Sequence, residues 1–129
     1  MAGQRQVRTG AVGAAGTTDY TVEIPSVGAV QLALFGNFDY GSGGTTVKCY
    51  VQGSYDGGTT WVPVANMTFA TADDIKVLNV VPESIVAWDA DAAQADNTSS
   101  NHIPPRLRVR VVVAGTYAAT TLDLWIAIS

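Results

Sequence analysis

Cysteine and histidine are almost absent from the sequence, and their scarcity removes several kinds of chemistry. The 129 residues include one cysteine, Cys49, and one histidine, His102. One cysteine excludes a disulfide within the chain, and a single residue of each type excludes a zinc site of clustered cysteine and histidine ligands. A Ser–His–Asp triad would have to use His102, and no G-x-S-x-G motif accompanies it. We therefore predict that the protein is not an enzyme and uses no cofactor, with a hydrogen-bonded His102 and a buried, unreactive Cys49.

Charged residues are also scarce, at 14% of the sequence, against about 25% in an ordinary soluble domain. The formal net charge of -4 argues against a general nucleic-acid-binding protein, which would have a basic surface. No cluster of lysine and arginine indicates binding to a membrane surface. The low charge leaves two interpretations open: a surface partly covered by a partner, or a β-protein surface made polar by threonine, serine and glycine.

Long hydrophobic runs are missing too. No apolar stretch is long enough to span a bilayer, and residues 1–5 lack the apolar core of a secretory signal. We therefore expect a protein that is made in a cytosol and kept reduced there.

What the sequence does contain is strict alternation of hydrophobic and polar residues, the pattern of β-strands. No window has helical periodicity, so helices that could connect parallel strands are not expected, and the strands should pair antiparallel. The predicted strands are 17–24, 29–36, 45–53, 60–65, 74–81, 106–114 and 121–128, with a further short candidate at 84–88.

This spacing of strands predicts an all-β protein with a single antiparallel β-sandwich, of jelly-roll or immunoglobulin-like type, over 17–129. A closed barrel is the alternative. Residues 1–16 are rich in glycine and alanine, and we expect a flexible arm there with at most one short strand. The polar stretch 89–105 is expected to be a long loop that is either functional or disordered.

Residues 45–65 predict a hairpin, because two alternating runs flank the turn Asp56-Gly57-Gly58-Thr59. Pro63 cannot donate a ladder hydrogen bond, so the second strand should lie at a sheet edge or beside a bulge.

Arginines recur at every second position of 106–114, so Arg106, Arg108 and Arg110 should share one strand face. Arginine suits bidentate contacts with carboxylates, and the stripe is a candidate interface, together with Arg5 and Arg8 of the arm. An ordinary solvated face is the alternative. The acidic residues of the 89–105 loop lack the spacing of an EF-hand, so no metal site is predicted there.

Tryptophan is the residue from which a sugar-stacking surface is most readily built. Trp61, Trp88 and Trp125 allow a carbohydrate-binding module, although burial in a core or an interface is the more common role of tryptophan.

The hairpin turn resembles the Asp-box of sialidases and related propellers. Its pattern S-x-D-x-G-x-T-W matches Ser54, Asp56, Gly58, Thr60 and Trp61. In those proteins the box is a repeated, non-catalytic hairpin, and the chain is too short for several propeller blades. The resemblance therefore implies a structural turn, in which the carboxylate accepts backbone N–H groups and the tryptophan packs beneath the hairpin.

The hairpin 51–65 and the strands 107–113 and 122–126 are also similar to those of small β-sandwich proteins in tailed-bacteriophage particles. That resemblance implies a structural virion protein, most specifically a capsid decoration or cement protein, with a neck or tail accessory protein as the alternative. It further implies a homo-oligomer, with a trimer favoured, that contacts other virion proteins such as the major capsid protein. Neither nucleic acid nor a membrane is an expected partner. A carbohydrate-binding module that uses exposed tryptophans is the alternative from a different class.

Overall fold

The computed structural model of the protein describes residues 3–22, 31–81, 96–99 and 102–129. Eight strands of six or more residues and four two-residue strands form this part of the chain, which contains no helix. In chain order the strands are β1 (Gly3–Arg8), β2 (Ala11–Val12), β3 (Gly16–Thr21), β4 (Leu32–Asp39), β5 (Ser42–Gly43), β6 (Thr46–Ser54), β7 (Val62–Phe69), β8 (Asp74–Val80), β9 (Thr98–Ser99), β10 (Arg106–Ala114), β11 (Tyr117–Ala118) and β12 (Thr120–Ile128).

Two antiparallel sheets contain almost all of these strands. The front sheet has the order β1-β12-β4-β8, with β2 paired to the start of β12. The back sheet has the order β3-β10-β6-β7-β9, and β11 with β5 forms a small ribbon. In the described part of the chain both sheets end in free strands, so the structure confirms the predicted antiparallel β-sandwich and not the closed barrel.

The core lies between the two sheets and is built by the alternation that the sequence contains. On β12 the buried apolar residues are Leu122, Leu124, Ile126 and Ile128, and the residues between them face away from the core. Strands β6 and β10 of the back sheet alternate in the same way. Cys49 is fully buried on β6, and this burial raises the pKa of its thiol to about 12, so it is a small core residue and not a nucleophile.

An aromatic cluster closes one end of the core. The Phe38 ring stacks on Phe69 with ring centroids 5.0 Å apart, and it meets the edge of Tyr117 at 5.8 Å. The Tyr117 hydroxyl donates a hydrogen bond to the Ala70 carbonyl at 2.8 Å. Gly44 makes room for this ring, since a Cβ there would lie 2.2 Å from Tyr117 Cζ.

The N-terminal segment is more ordered than the sequence predicted. Strand β1 pairs with β12 from Gly3 opposite Ile128 to Arg8 opposite Leu124, and β2 pairs with β12 beyond a bulge. The prediction of a flexible arm with at most one short strand is therefore corrected to an edge strand followed by a second short one. Pairing of backbone groups holds β1, and it requires no alternation of apolar side chains.

The β6–β7 hairpin forms as predicted, and it contains the irregularity that Pro63 requires. Val51 lies opposite Ala65, but the next residue, Gln52, lies opposite Pro63. Val64 is thus the extra residue of a β-bulge, and its side chain is fully buried. The bulge lets a proline lie inside an otherwise regular hairpin.

Residues 82–95 and 100–101 lie outside the described part of the chain. The short strand predicted at 84–88 and most of the predicted 89–105 loop fall there. Within that loop, Thr98–Ser99 is described and pairs with β7 as strand β9.

Candidate functional site

The turn of the β6–β7 hairpin is closed by hydrogen bonds of the Asp56 and Ser54 side chains. The Asp56 carboxylate accepts the backbone N–H groups of Thr59 at 3.1 Å and Thr60 at 2.8 Å. The buried Ser54 hydroxyl donates to the same carboxylate at 2.8 Å and accepts the Gly58 N–H at 2.8 Å. Gly57 and Gly58 have φ of 78° and 100°, which only glycine adopts without strain. These contacts close the turn on itself.

Trp61 and Arg106 attach the turn to the back sheet. Trp61 Nε1 donates to the Gly58 carbonyl at 3.1 Å, and its ring lies 4.2 Å from the guanidinium carbon of Arg108. Arg106 donates to the Gly57 carbonyl at 2.7 Å. The hairpin is therefore held to β10 by two arginines, and the tryptophan is part of this support.

The low pKa of Asp56 makes the stability of the protein depend on pH in the acidic range. Hydrogen bonds from Thr60 and Ser54 lower the pKa of Asp56 from 3.8 to about 2. In the unfolded chain the pKa returns toward 3.8, so the unfolded state binds more protons between these values, and stability falls as the pH drops from about 4 to about 2. We expect the free energy of unfolding of Asp56→Asn to fall less steeply across this window than that of the wild type, in urea titrations followed by fluorescence.

Asp39→Asn is the matched control for that experiment, because Asp39 is an exposed aspartate at the end of β4. It should keep the wild-type slope. Equal slopes for Asp56→Asn and the wild type would show that the turn carboxylate does not contribute to acid sensitivity.

The arginine stripe lies on the outer face of the back sheet, and each guanidinium already has a partner within the chain. Arg110 makes two hydrogen bonds to the Asp19 carboxylate, at 2.7 Å and 3.0 Å, which hold the pKa of Asp19 below its usual value. Arg108 donates to the Gln52 side chain at 2.8 Å. Any partner at this face would have to compete with these contacts. An interface role for Arg106, Arg108 and Arg110 stays a prediction.

The two arginines of the N-terminal segment do not join this stripe. Arg8 donates to the Leu122 carbonyl at 3.1 Å and to the Ala11 carbonyl at 3.0 Å, so it supports the pairing of β2 with β12. Arg5 lines a cavity of about 310 Å³ between β1 and β3, beside Tyr20 and Val22. The five predicted interface arginines therefore lie in three different places.

His102 packs against the hairpin. Its Nε2 lies 3.0 Å from the Pro63 carbonyl and its Nδ1 lies 3.0 Å from the Tyr55 hydroxyl. A carbonyl only accepts, so Nε2 carries the proton and, in the neutral ring, Tyr55 donates to Nδ1. The ring also stacks on Tyr55. These contacts are those of a hydrogen-bonded residue that fixes the 102–105 segment to the hairpin.

The described tryptophans do not form one sugar-stacking platform. Trp61 lies on the outer face of the back sheet, whereas Trp125 lies on the outer face of the front sheet, on the opposite side of the core. Trp88 lies outside the described residues. A surface built from paired tryptophans is therefore not supported by the described part of the chain.

The most distinctive surface lies on the outer face of the front sheet, which sequence reasoning did not single out. Trp125 lies directly opposite Phe35, and Phe35 lies directly opposite Val77. We call three exposed apolar residues of this face the apolar strip: Phe35 of β4 (37% exposed), and Ile75 (64%) and Val77 (54%) of β8. The signal was present in the sequence as apolar residues at every second position, but alternation alone does not say which strand lies at an edge.

Two searches of the described residues, for clustered metal ligands and for a helix of membrane-spanning length, found none. They contain no group of three or more His, Cys, Asp or Glu side chains that could hold a metal ion. No helix in residues 3–22, 31–81, 96–99 or 102–129 is long and apolar enough to cross a membrane.

Comparisons with protein families, curated proteins and solved structures found no relative of this chain. No family model, curated protein or solved structure matches this chain.

Proposed function

We propose that the protein is a non-catalytic structural subunit that docks on a larger assembly, most specifically a capsid decoration or cement protein of a tailed-bacteriophage virion. The observation that carries the proposal is the apolar strip, in which Ile75 and Val77 are 64% and 54% exposed on an edge strand. Clustered exposed apolar residues of this kind mark surfaces that a partner covers.

The position of the strip on β8 supports docking. Strand β8 is the last strand of the front sheet, so its outer edge presents backbone groups without a partner strand among the described residues. Lys76, between the two exposed residues, turns inward and donates to the Thr68 carbonyl and to Asn97 Oδ1. The cation is thereby removed from the outer face, and depletion of charge is typical of the centre of a protein interface.

The side chains that could take part in catalysis lie in positions that support a structural role instead. Cys49 is buried, Asp56 is held by the turn and His102 is hydrogen-bonded to the hairpin. The proposed partner is another virion protein, with the major capsid protein first and a neck or tail protein as the alternative. The proposed location is the virion, where copies of the chain would form a homo-oligomer, with a trimer favoured.

Substitution of a charged residue into the apolar strip should weaken docking strongly. We expect Val77→Asp to reduce co-sedimentation with capsids assembled without the protein by at least tenfold, because docking would bury an unpaired carboxylate. Its effect on the free energy of unfolding should be small, about 0.5 kcal/mol, since the side chain is exposed. Ile75→Asp should behave alike, and sedimentation with isolated tails tests the neck or tail alternative.

Val112→Asp is the matched control, since Val112 lies half-buried on β10 with its side chain on the outer face of the back sheet. It should sediment with capsids like the wild type. Wild-type protein that sediments with neither capsids nor tails would refute the virion assignment, and full binding by Val77→Asp would refute the role of the apolar strip.

A further inference from the structure

We propose that the outer face of the front sheet also carries a binding site for a neutral oligosaccharide, which goes beyond the structural role. The site is a trough across the strands with Ala33 of β4 and Ala127 of β12 as its floor. These alanines lie directly opposite each other, with Gln4 of β1 beyond Ala127 and Asn79 of β8 beyond Ala33. A cavity of about 470 Å³ opens here, lined by both alanines, both amides and Gln31.

The amide side chains on this sheet face are suited to hydrogen bonding with the hydroxyl groups of a sugar. The sequence contains ten asparagine and glutamine residues, and five of them are exposed on this one sheet face. A primary amide both donates and accepts hydrogen bonds, as a sugar hydroxyl does, so neighbouring hydroxyls can be bound without a charge. The five residues are Gln4, Gln6, Gln31, Asn37 and Asn79.

Two aromatic side chains lie in the neighbouring cross-strand row, next to the residues that line the cavity. Trp125 and Phe35 each lie two residues along their strands from the floor alanines, and they are directly opposite each other. Residues at this spacing point to the same face of a sheet, about 7 Å apart. The aromatic surface next to the cavity offers an apolar contact for the C–H faces of a sugar ring.

The distribution of charge selects a neutral ligand. The cross-strand rows Gln4–Ala127–Ala33–Asn79 and Gln6–Trp125–Phe35–Val77 contain no charged side chain. The arginine stripe lies on the opposite sheet. An anionic ligand such as a phosphate or a nucleic acid would find no cation in these two rows, whereas uncharged hydroxyls are matched by the amides.

The test uses the full chain and a panel of neutral hexasaccharides, namely cellohexaose, xylohexaose, maltohexaose and chitohexaose, with a heparin hexasaccharide as the anionic comparison. Binding is measured by calorimetry and by the change in tryptophan fluorescence. We expect at least one neutral sugar to bind, and binding to fall at least tenfold in the Gln4→Ala/Asn79→Ala double variant. Ala127→Lys, which fills the floor from an exposed position, should have the same effect.

Trp61→Phe is the control, because that tryptophan lies on the back sheet, and it should leave sugar binding unchanged. Absence of binding to every neutral sugar at millimolar concentration would overturn the proposal. So would equal binding by the trough variants, or a preference for heparin. The trough variants should still sediment with capsids, and Ile75→Asp, which lies outside the two uncharged rows, should still bind sugar, so failure of this proposal is distinguishable from failure of the structural role.

Discussion

Replacing Phe38 with alanine should destabilise the protein by about 3–5 kcal/mol, the range for removing a fully buried phenylalanine ring. The side chain is 1% exposed and contacts the rings of Phe69 and Tyr117, so the cavity would open at the centre of the aromatic cluster. Urea denaturation followed by circular dichroism gives the free energy of unfolding directly.

Phe35→Ala is the matched control, since it makes the same substitution on the same strand three residues away. Phe35 is 37% exposed and faces outward, so its loss should cost well under half as much. If Phe38→Ala does not fold, Phe38→Leu should lie between the wild type and the unfolded variant. Equal costs at the two positions would contradict the assignment of the two faces of β4.

Gly44→Ala should destabilise the protein by about 2–5 kcal/mol, from two separate causes that add. The residue has φ of 72°, which strains any residue with a Cβ. The new Cβ would also meet the Tyr117 ring at 2.2 Å, and the ring could move only by breaking its hydrogen bond to the Ala70 carbonyl. The measurement is again the free energy of unfolding in urea.

Gly57→Ala separates the two causes. Gly57 has φ of 78°, but a Cβ there would meet nothing within 4 Å, so only the strain of about 1–2 kcal/mol should appear. In a Tyr117→Ala background, the destabilisation caused by Gly44→Ala should fall to that caused by Gly57→Ala. This difference is the coupling between Gly44 and Tyr117, which a double-mutant cycle measures. A Gly44→Ala cost equal to that of Gly57→Ala in the wild-type background would show that Tyr117 does not restrict the turn.

Much of the fold was predictable because a half-buried strand leaves a direct signature. The alternation in 106–114 and 121–128 predicted β10 and β12 to within one residue, and the same alternation placed Cys49 on a buried face. Pro63 predicted an edge or a bulge, and a bulge is present. In each case the reason is local, because a side-chain period of two or a missing N–H constrains the strand whatever its neighbours are.

The candidate surfaces were less predictable, because they depend on which strands become neighbours. Trp125, Phe35 and Val77 come from strands far apart in sequence, and only the order β12-β4-β8 makes them one row. Strand β1 lies in the segment that was predicted as a flexible arm with at most one short strand, for a related reason. Its polar residues have little periodicity, and backbone pairing to β12, which lies more than 110 residues away, gives it order.

The sequence by itself determined the all-β class, the antiparallel pairing, the core face of the longest strands and the tight hairpin turn, since each follows from a pattern that is local in the sequence: side-chain alternation, the lack of helical segments or a glycine-containing turn. Only the tertiary structure decided that the arginine stripe is paired within the chain and that Trp61 and Trp125 lie on opposite sides of the core. It also decided that amide, alanine and aromatic side chains lie next to one another on the outer face of the front sheet. The physical reason is that strand order and register bring together residues distant in sequence, and alternation within one strand carries no information about its neighbour.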